Sequence, residues 1–313
     1  MPLDPEIANI LNFMAQAGAP SMSAGTVEQA RVGFRAGTVG VRDPATLAAV
    51  RSVEDITVPG ADGPRAARVY RPDADGALPT MVFFHGGGFV IGDIETHDDQ
   101  ARLICRDGAM VVVSIDYRLA PEHPFPAGYE DCLAATRWAA DNVATLGDDA
   151  DRLVVGGDSA GGNLAAAVAL TCRTGGPALA AQFLIYPGVD FAEDADYPSR
   201  VENAEGYFLT AEDMLWFSGL YLPADADTSD PRMSPIRATD LAGVAPAVLG
   251  VGEFDPLRDE DLAYGKALAD AGVRVVVRRY DGLIHGYFGL GTFSAAAADA
   301  TTDMINALRD VLS

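Results

Sequence analysis

A glycine-rich stretch in the middle of the chain constrains its fold more than any other feature of the sequence. Residues 156–162 read GGDSAGG, with the apolar run LVV before them and an alanine-rich apolar run after them. The first run is typical of a buried strand and the second of a buried helix. Ser159 is therefore predicted to lie on a strand-to-helix turn, where Gly157 and Gly161 leave room for a tight bend. The free N–H groups at the start of the helix would favour negative charge beside the serine oxygen.

The G-x-S-x-G pattern by itself is weak evidence. The chain contains 33 glycines, so a pattern this short can arise by chance. A glycine-rich turn in some other α/β protein is therefore an alternative interpretation. The strand pattern before the turn and the helix pattern after it favour a turn that presents a nucleophile.

The order of apolar segments along the chain predicts an α/β fold. Residues 1–45 show helical periodicity and contain no strand pattern, whereas the alternating segments 53–58 and 66–70 predict a hairpin. Apolar strands then alternate with helices, which favours a mostly parallel sheet covered by helices on both faces. Further strands are predicted at residues 80–84, 110–115, 153–155, 182–186, 246–251 and 273–278.

The composition indicates a globular protein that binds neither nucleic acid nor membrane. Of its 313 residues 49% are hydrophobic, enough for one α/β domain with a small accessory part. We expect a cytoplasmic protein, because the sequence contains neither a long apolar run nor the pattern of a signal peptide. The net charge of −23 would repel nucleic acid and anionic lipid. Cys105, Cys132 and Cys172 are widely spaced, and we expect them to be buried, with no disulfide and no metal site.

A serine nucleophile requires a base, and the chain offers four histidines. His85 and His123 lie in glycine-rich and proline-rich segments that suggest structural roles, and His97 lies in a polar segment where we expect a solvated side chain. His285 lies in a predicted loop, 281–286, just past the end of a core strand, where open α/β sheets place their active sites. His285 is therefore the candidate base, with an ordinary surface histidine as the alternative.

The acid that orients the base is expected between the serine and the histidine in the chain. Asp255 follows the strand predicted at 246–251 and precedes Pro256, so it is also a good candidate for a helix N-cap. One carboxylate oxygen could serve the cap while the other holds the imidazole. Glu253 and Asp281 are the remaining candidates for the acid.

A glycine loop follows the strand predicted at 80–84 and reads HGGGF from His85 to Phe89. Consecutive glycines can turn their backbone N–H groups inward, and acyl transfer needs such donors where the oxyanion forms. A phosphate-binding loop is the competing interpretation. It is disfavoured because no Gly-Lys-Ser/Thr follows, no G-x-G-x-x-G opens a helix here, and the net charge is acidic.

Five motifs, in this order along the chain, resemble those of the hormone-sensitive-lipase family of α/β-hydrolases, the bacterial family IV esterases. The resemblance implies an α/β-hydrolase fold with a mostly parallel eight-stranded sheet, flanking helices and a small helical cap. It also implies a serine carboxylesterase that hydrolyses short-to-medium-chain acyl esters without a cofactor or metal. The motifs are HGGGF at 85–89, DYRLAPEHPFPA at 116–127, GDSAGGNLA at 157–165, DPLRDE at 255–260 and HG at 285–286.

The resemblance assigns roles to individual residues. Ser159 would be the nucleophile, His285 the base and Asp255 the orienting acid of a triad. His85 and Gly86 would brace the glycine loop. The backbone amides implied for the oxyanion hole are those of Gly87, Gly88 and Ala160.

The resemblance also implies a division of the chain and a substrate pocket. The helical cap would comprise residues 1–45 and 188–225, and the core residues 46–187 and 226–313. In the core, Arg118 and Glu122 would form a buried structural ion pair. Most aromatic residues of the cap are expected to pack it onto the core, and no more than two to contact substrate. The candidates for the pocket are Phe89, Tyr287, at a position where phenylalanine is common, and the cap aromatics Phe34, Tyr207, Phe208, Trp216, Phe217 and Tyr221.

Two other functions use the same residues or the same fold. An amidase or peptidase would employ the same triad, and a non-catalytic member of the fold would bind a ligand without hydrolysing it. The filled triad positions favour catalysis over ligand binding alone. The expected partner is a small-molecule ester, and a homodimer is expected by analogy with the family.

Overall fold

An eight-stranded sheet forms the centre of the computed structural model, which describes residues 2–313. The strands are β1 (Ser52–Gly60), β2 (Gly63–Arg71), β3 (Leu78–Phe84), β4 (Val111–Ile115), β5 (Asp148–Asp158), β6 (Ala181–Ile185), β7 (Ala247–Phe254) and β8 (Val275–Ile284). They lie in the order β1-β2-β4-β3-β5-β6-β7-β8. The pairs β1–β2 and β2–β4 are antiparallel and all the others are parallel, which confirms the mostly parallel sheet predicted from the sequence.

Helices cover both faces of the sheet. They are α1 (Pro5–Gln16), α2 (Val27–Thr38), α3 (Asp98–Gly108), α4 (Ala127–Asp141), α5 (Ala160–Gly175), α6 (Pro198–Glu202), α7 (Ala211–Tyr221), α8 (Arg258–Asp270) and α9 (Ala295–Leu312). None of these helices of residues 2–313 is both long and apolar enough to cross a membrane.

The core consists of two apolar layers separated by the sheet. In β3, Met81 and Phe83 belong to the layer under α3 and α9, whereas Val82 and Phe84 belong to the layer under α4, α5 and α8. This alternation follows from the pleat of a strand, which sends successive side chains to opposite faces. Both layers are buried, so the strand reads as a continuous apolar run rather than an alternating one. The three cysteines are buried in these layers as predicted.

The strand β8 extends further than its sequence pattern indicated. It continues to Ile284, so His285 directly follows the strand and the loop expected at 281–286 is wrong. The backbone N–H of Asp4, at the start of α1, donates to Gly282 in this extension. The extra pairing reflects tertiary packing, because Leu283 and Ile284 are buried in the layer shared with α1 and α9.

The two N-terminal helices contact different parts of the molecule. Ile7 in α1 is buried in the core layer beside β8 and α9. The segment before α2 contacts α7, since the backbone N–H of Ser23 donates to Asp213 at 2.9 Å. Arg31 in α2 donates to the carbonyl oxygen of Val90, just beyond the glycine loop. The division into a cap and a core stays a prediction.

The ion pair expected between Arg118 and Glu122 is wrong. Arg118 instead donates to both oxygens of Asp131 in α4, at 2.7 and 3.0 Å, and the Asp131 side chain is fully buried. Asp131 also accepts the backbone N–H of Ala61, which ties α4 to the β1–β2 turn. Glu122 is exposed and pairs with Arg31. Glu122 was expected because it is close to Arg118 in sequence. The turn between Arg118 and α4 instead brings Asp131 to the guanidinium.

Replacing Asp131 with alanine is expected to destabilise the protein by about 3–5 kcal/mol, because the Arg118 guanidinium loses its buried carboxylate partner and two backbone N–H groups lose their acceptor. Glu122→Ala is the matched control. Its carboxylate is 54% exposed, so the loss is expected to be about 0–1 kcal/mol. Urea unfolding of the two variants measures both values. Equal losses would contradict the assignment of Asp131 as the structural partner.

Candidate active site

The strand-to-helix turn predicted around Ser159 is present. β5 ends at Asp158 and α5 begins at Ala160, and Ser159 between them has a φ of 53°, in the left-handed region that costs energy for any side chain. The backbone N–H of Ser159 donates to the carbonyl oxygen of Ile185 at 2.8 Å, which fixes the turn to β6. A Cβ on Gly161 would lie 1.9 Å from the carbonyl oxygen of Phe84. Glycine is therefore required where the turn meets the end of β3.

Three side chains far apart in sequence meet beside this turn. His285 Nε2 lies 2.9 Å from Ser159 Oγ, and His285 Nδ1 lies 2.8 Å from Asp255 Oδ2. Asp255 is fully buried, and its other oxygen accepts the backbone N–H of Leu257 at 2.8 Å. Both carboxylate oxygens are thus used, as the sequence suggested. The helix α8 begins later, at Arg258, so Asp255 holds the turn before the helix and is not its N-cap.

Neither of the other acids considered for the triad reaches the imidazole. Glu253 accepts hydrogen bonds from Arg258 and Arg279. Asp281 is exposed on β8. Asp255 is therefore the carboxylate that contacts His285. Within residues 2–313 no group of three or more histidine, cysteine or acidic side chains is arranged to hold a metal ion.

The glycine loop after β3 turns toward the serine. Gly87 and Gly88 have φ values of 117° and 58°, a region in which glycine is favoured. The carbonyl oxygen of Gly87 accepts the N–H groups of Val90 and Ile91, which anchors the loop. Among residues 2–313 no acceptor is found for the N–H groups of Gly87, Gly88 and Ala160. Free donors of this kind are what an oxyanion requires.

His85 supports this loop from the buried core. Its ring is fully buried, stacks on Tyr117 with centroids 4.4 Å apart, and Nδ1 lies 2.7 Å from the carbonyl oxygen of Gly86. Tyr117 donates its hydroxyl to the carbonyl oxygen of His85. Burial, together with the nearby imidazole of His97, lowers the pKa of His85 to about 4, so its ring is neutral at neutral pH.

His97 is not solvated, so that expectation is wrong. It is 2% exposed, and its Nε2 lies 3.5 Å from a carboxylate oxygen of Asp158. The polar sequence around His97 is typical of an exposed helix start, but His97 is buried against Phe34, His85 and Asp158. No local signal in the sequence identifies Asp158 as its partner.

Three aromatic residues lie directly against the site. Phe217 packs on the glycine loop so closely that a Cβ on Gly88 would lie 2.3 Å from its ring, and a Cβ on Gly286, next to His285, would lie 3.2 Å from Phe208. Phe89 stacks on Tyr221 with ring centroids 3.8 Å apart. Phe217 is one of several cap aromatics that the sequence offers for the pocket, and nothing in the sequence distinguishes it from the other aromatics of α7.

The other pocket candidates pack against neighbouring aromatic residues. Trp216 packs against Phe217, Tyr207 against Phe254, and Phe34 against His97. Tyr287 is fully buried in the core between Tyr186 and Tyr280, which does not support a role in contacting substrate.

Comparison with known proteins defines the class of this molecule. A family model described as the α/β-hydrolase fold matches residues 81–289. The structure of a hyperthermophilic esterase from the archaeon Pyrobaculum calidifontis superimposes with a TM-score of 0.94 at 41% identity, covering 100% of this chain and 99% of that one. The protein therefore has the α/β-hydrolase fold that the motifs implied.

Curated relatives narrow the class to one family. The carboxylesterase NlhH of Mycobacterium tuberculosis is 39% identical over 98% of this chain and 97% of its own length. The carboxylic ester hydrolase LipN of the same organism is 46% identical over 83% of this chain and 71% of its own length. The chain belongs to the hormone-sensitive-lipase family of carboxylesterases, bacterial family IV, and is a carboxylic ester hydrolase.

Replacing Gly88 with alanine is expected to lower esterase activity at least about tenfold, because the new Cβ meets Phe217 and displaces a free amide. The positive φ adds strain of about 1–2 kcal/mol. Gly33→Ala in α2, where nothing lies within 4 Å, is the control and should be neutral or stabilising by up to about 1 kcal/mol. Thermal unfolding and kcat/KM of both variants measure these effects. Full activity of Gly88→Ala would contradict the contact with Phe217.

Proposed function

We propose that the protein hydrolyses carboxylic esters in two steps, with Ser159 as the nucleophile. His285 takes the hydroxyl proton through Nε2 as Ser159 Oγ bonds to the ester carbonyl carbon. The bond to the alcohol oxygen then breaks, and the alcohol leaves with the proton from His285. Water gives a proton to His285, attacks the acyl carbon and releases the acid as the proton returns to Ser159. The observation that carries this proposal is the unbroken chain of contacts from Asp255 through His285 to Ser159.

Asp255 would hold His285 in one orientation and stabilise it when it becomes positively charged. Its carboxylate is buried and accepts from the imidazole on one oxygen and from a backbone N–H on the other. This arrangement favours a proton on Nδ1, which leaves Nε2 free to accept the proton of Ser159. The burial of the pair strengthens its electrostatic attraction.

The negative charge that develops on the ester oxygen would be held by the backbone amides of Gly87, Gly88 and Ala160. These donors are free in the structure and stand at the start of α5 and in the anchored glycine loop. The N-terminal end of α5 adds a favourable field for an anion. Donors held in place before the reaction need not reorganise when the charge forms.

The substrates that fit this site best are esters of short to medium acyl chains. Phe217 lies against Gly88 of the glycine loop and Phe208 lies near Gly286, so an apolar ring adjoins both the glycine loop and the residue after His285. A curated relative from Pseudomonas putida, 34% identical over 83% of this chain, is named ethyl acetate hydrolase, which supports a preference for small esters.

Two further expectations stay predictions. A homodimer follows from the family resemblance alone, and light scattering after size-exclusion chromatography would measure it. The cytoplasmic location follows from the sequence pattern alone, and fractionation of the source cells would test it.

Ser159→Ala is expected to reduce ester hydrolysis by about 10⁴-fold or more, since no other hydroxyl contacts His285 in the described residues. A fluorophosphonate probe should label the unchanged protein at Ser159 and fail to label the variant. Ser229→Ala, which removes an exposed serine, should retain both activity and labelling. Hydrolysis of p-nitrophenyl esters at the native rate by Ser159→Ala would overturn the proposed nucleophile. A matched anilide cleaved faster than its ester would indicate an amidase instead.

Phe217→Ala is expected to shift the preferred acyl chain of p-nitrophenyl esters to longer lengths, because removing the ring opens space over the glycine loop. Leu215→Ala on the same helix is the control, since that side chain is 75% exposed and should leave the preference unchanged. The measurement is kcat/KM across a series from acetate to decanoate. An unchanged series for Phe217→Ala would show that its ring does not bound the acyl site.

A further inference from the structure

A second histidine–aspartate pair lies against the start of the glycine loop. His97 and Asp158 are 2% and 6% exposed, and their nearest nitrogen and oxygen atoms are 3.5 Å apart. The other oxygen of Asp158 accepts the backbone N–H of Gly86 at 2.8 Å. Asp158 is also the residue immediately before Ser159. The pair therefore connects the start of the glycine loop to the turn that carries the proposed nucleophile.

The surroundings of His97 are those of a charged imidazole. The Thr96 hydroxyl donates to the carbonyl oxygen of Asp93 and lies 2.8 Å from His97 Nδ1, so it presents a lone pair to that nitrogen. The other nitrogen faces the carboxylate of Asp158. An acceptor stands at each ring nitrogen, and only the doubly protonated ring can donate to both.

The contact between Asp158 and the glycine loop leaves no room for adjustment. A Cβ on Gly86 would lie 2.4 Å from a carboxylate oxygen of Asp158. A movement of this carboxylate would therefore move the backbone of Gly86, and with it the amides of Gly87 and Gly88. Because an oxyanion donor is effective only at hydrogen-bond distance, a small displacement would reduce catalysis.

We propose that His97 is a positioning residue, which in its charged form holds Asp158 ionised and aimed at Gly86 and so keeps the oxyanion amides in place beside Ser159. This inference rests on the proposed function, because it concerns the same amides. His97 does not contact the reacting atoms. It acts through Asp158 and the glycine loop.

Further acidic and basic groups surround His97. Asp93 and Asp99 are the further acidic groups near the ring, Arg42 pairs with Asp99, and the neutral ring of His85 lies 5.3 Å away, centroid to centroid. Burial would lower the pKa of His97, but the charge of Asp158 and of Asp99 outweighs burial and raises it above the ordinary 6.5. His97 likewise contributes to lowering the pKa of Asp158.

The sign of the pH effect follows from the raised pKa of His97. The charged pair holds the amides fully in place at pH values below the ordinary histidine pKa of 6.5. This effect is lost as the pH rises through the higher pKa of His97 in the folded protein. The proposal therefore predicts that kcat decreases at alkaline pH as His97 loses its proton. The decrease would leave KM nearly unchanged, because the oxyanion amides act mainly in the transition state.

The test compares pH profiles of kcat and KM for the unchanged protein, His97→Gln and the control His123→Gln, which alters an exposed histidine. His97→Gln should lower kcat about tenfold, part of the 10²–10³ that a missing oxyanion donor costs, and should lose the alkaline decrease. His123→Gln should match the unchanged protein. A His97→Gln variant with native kcat and the native profile would overturn the proposal. That result would leave the triad intact, whereas an active Ser159→Ala would refute the triad itself.

A second measurement does not depend on the folding of His97→Gln. Nitrogen-15 spectra of the histidine rings in the unchanged protein follow the protonation of each imidazole with pH. His97 should remain doubly protonated above pH 6.5, where an ordinary histidine has lost its proton. A His97 ring that is neutral at pH 6.5 would overturn the proposal. Asp158→Asn, which retains an oxygen acceptor without the charge, should reproduce the loss in kcat, and native kcat in that variant would also overturn it.

Discussion

The close contact between the serine turn and the end of β3 is the constraint on which the site depends. Gly161 lies against the carbonyl oxygen of Phe84, and a single added carbon there would overlap it. This contact brings the turn after β5 beside the loop after β3, two segments that are adjacent because their strands are paired. Ser159 and the amides of the glycine loop can then face the same point. A wider turn would separate the nucleophile from the groups that stabilise the oxyanion.

The acid of the triad is held by a second set of long-range contacts. Glu260 in α8 accepts the backbone N–H of Val189 at 2.7 Å and pairs with Arg200. Asn203 donates to the carbonyl oxygen of Asp255 at 3.0 Å. The segment after β6 is thereby fastened to the turn that presents Asp255. Charges buried in this way are tolerated because each has a partner and further hydrogen bonds.

Features set by nearby residues were predicted from the sequence, whereas several contacts between residues far apart in the chain were not. The strand β5, the turn at Ser159 and the helix α5 follow from apolar runs and glycines within one short segment, and these were predicted correctly. Arg118 and His97 were assigned the wrong surroundings. In both cases the true partner, Asp131 or Asp158, is one of many acidic residues in the chain, and only packing selects it.

The sequence by itself determined the order of strands and helices, the tight turn at Ser159 and the family motifs, because apolar periodicity and the need for glycine act locally. Only the tertiary structure decided which carboxylate faces each histidine, how far β8 extends toward His285, and which aromatic ring covers the glycine loop. These depend on segments distant in the chain that meet when the sheet and its helices pack. A local sequence pattern does not specify which distant residues come into contact. Many acidic and aromatic side chains fit the same pattern, and burial alone distinguishes them.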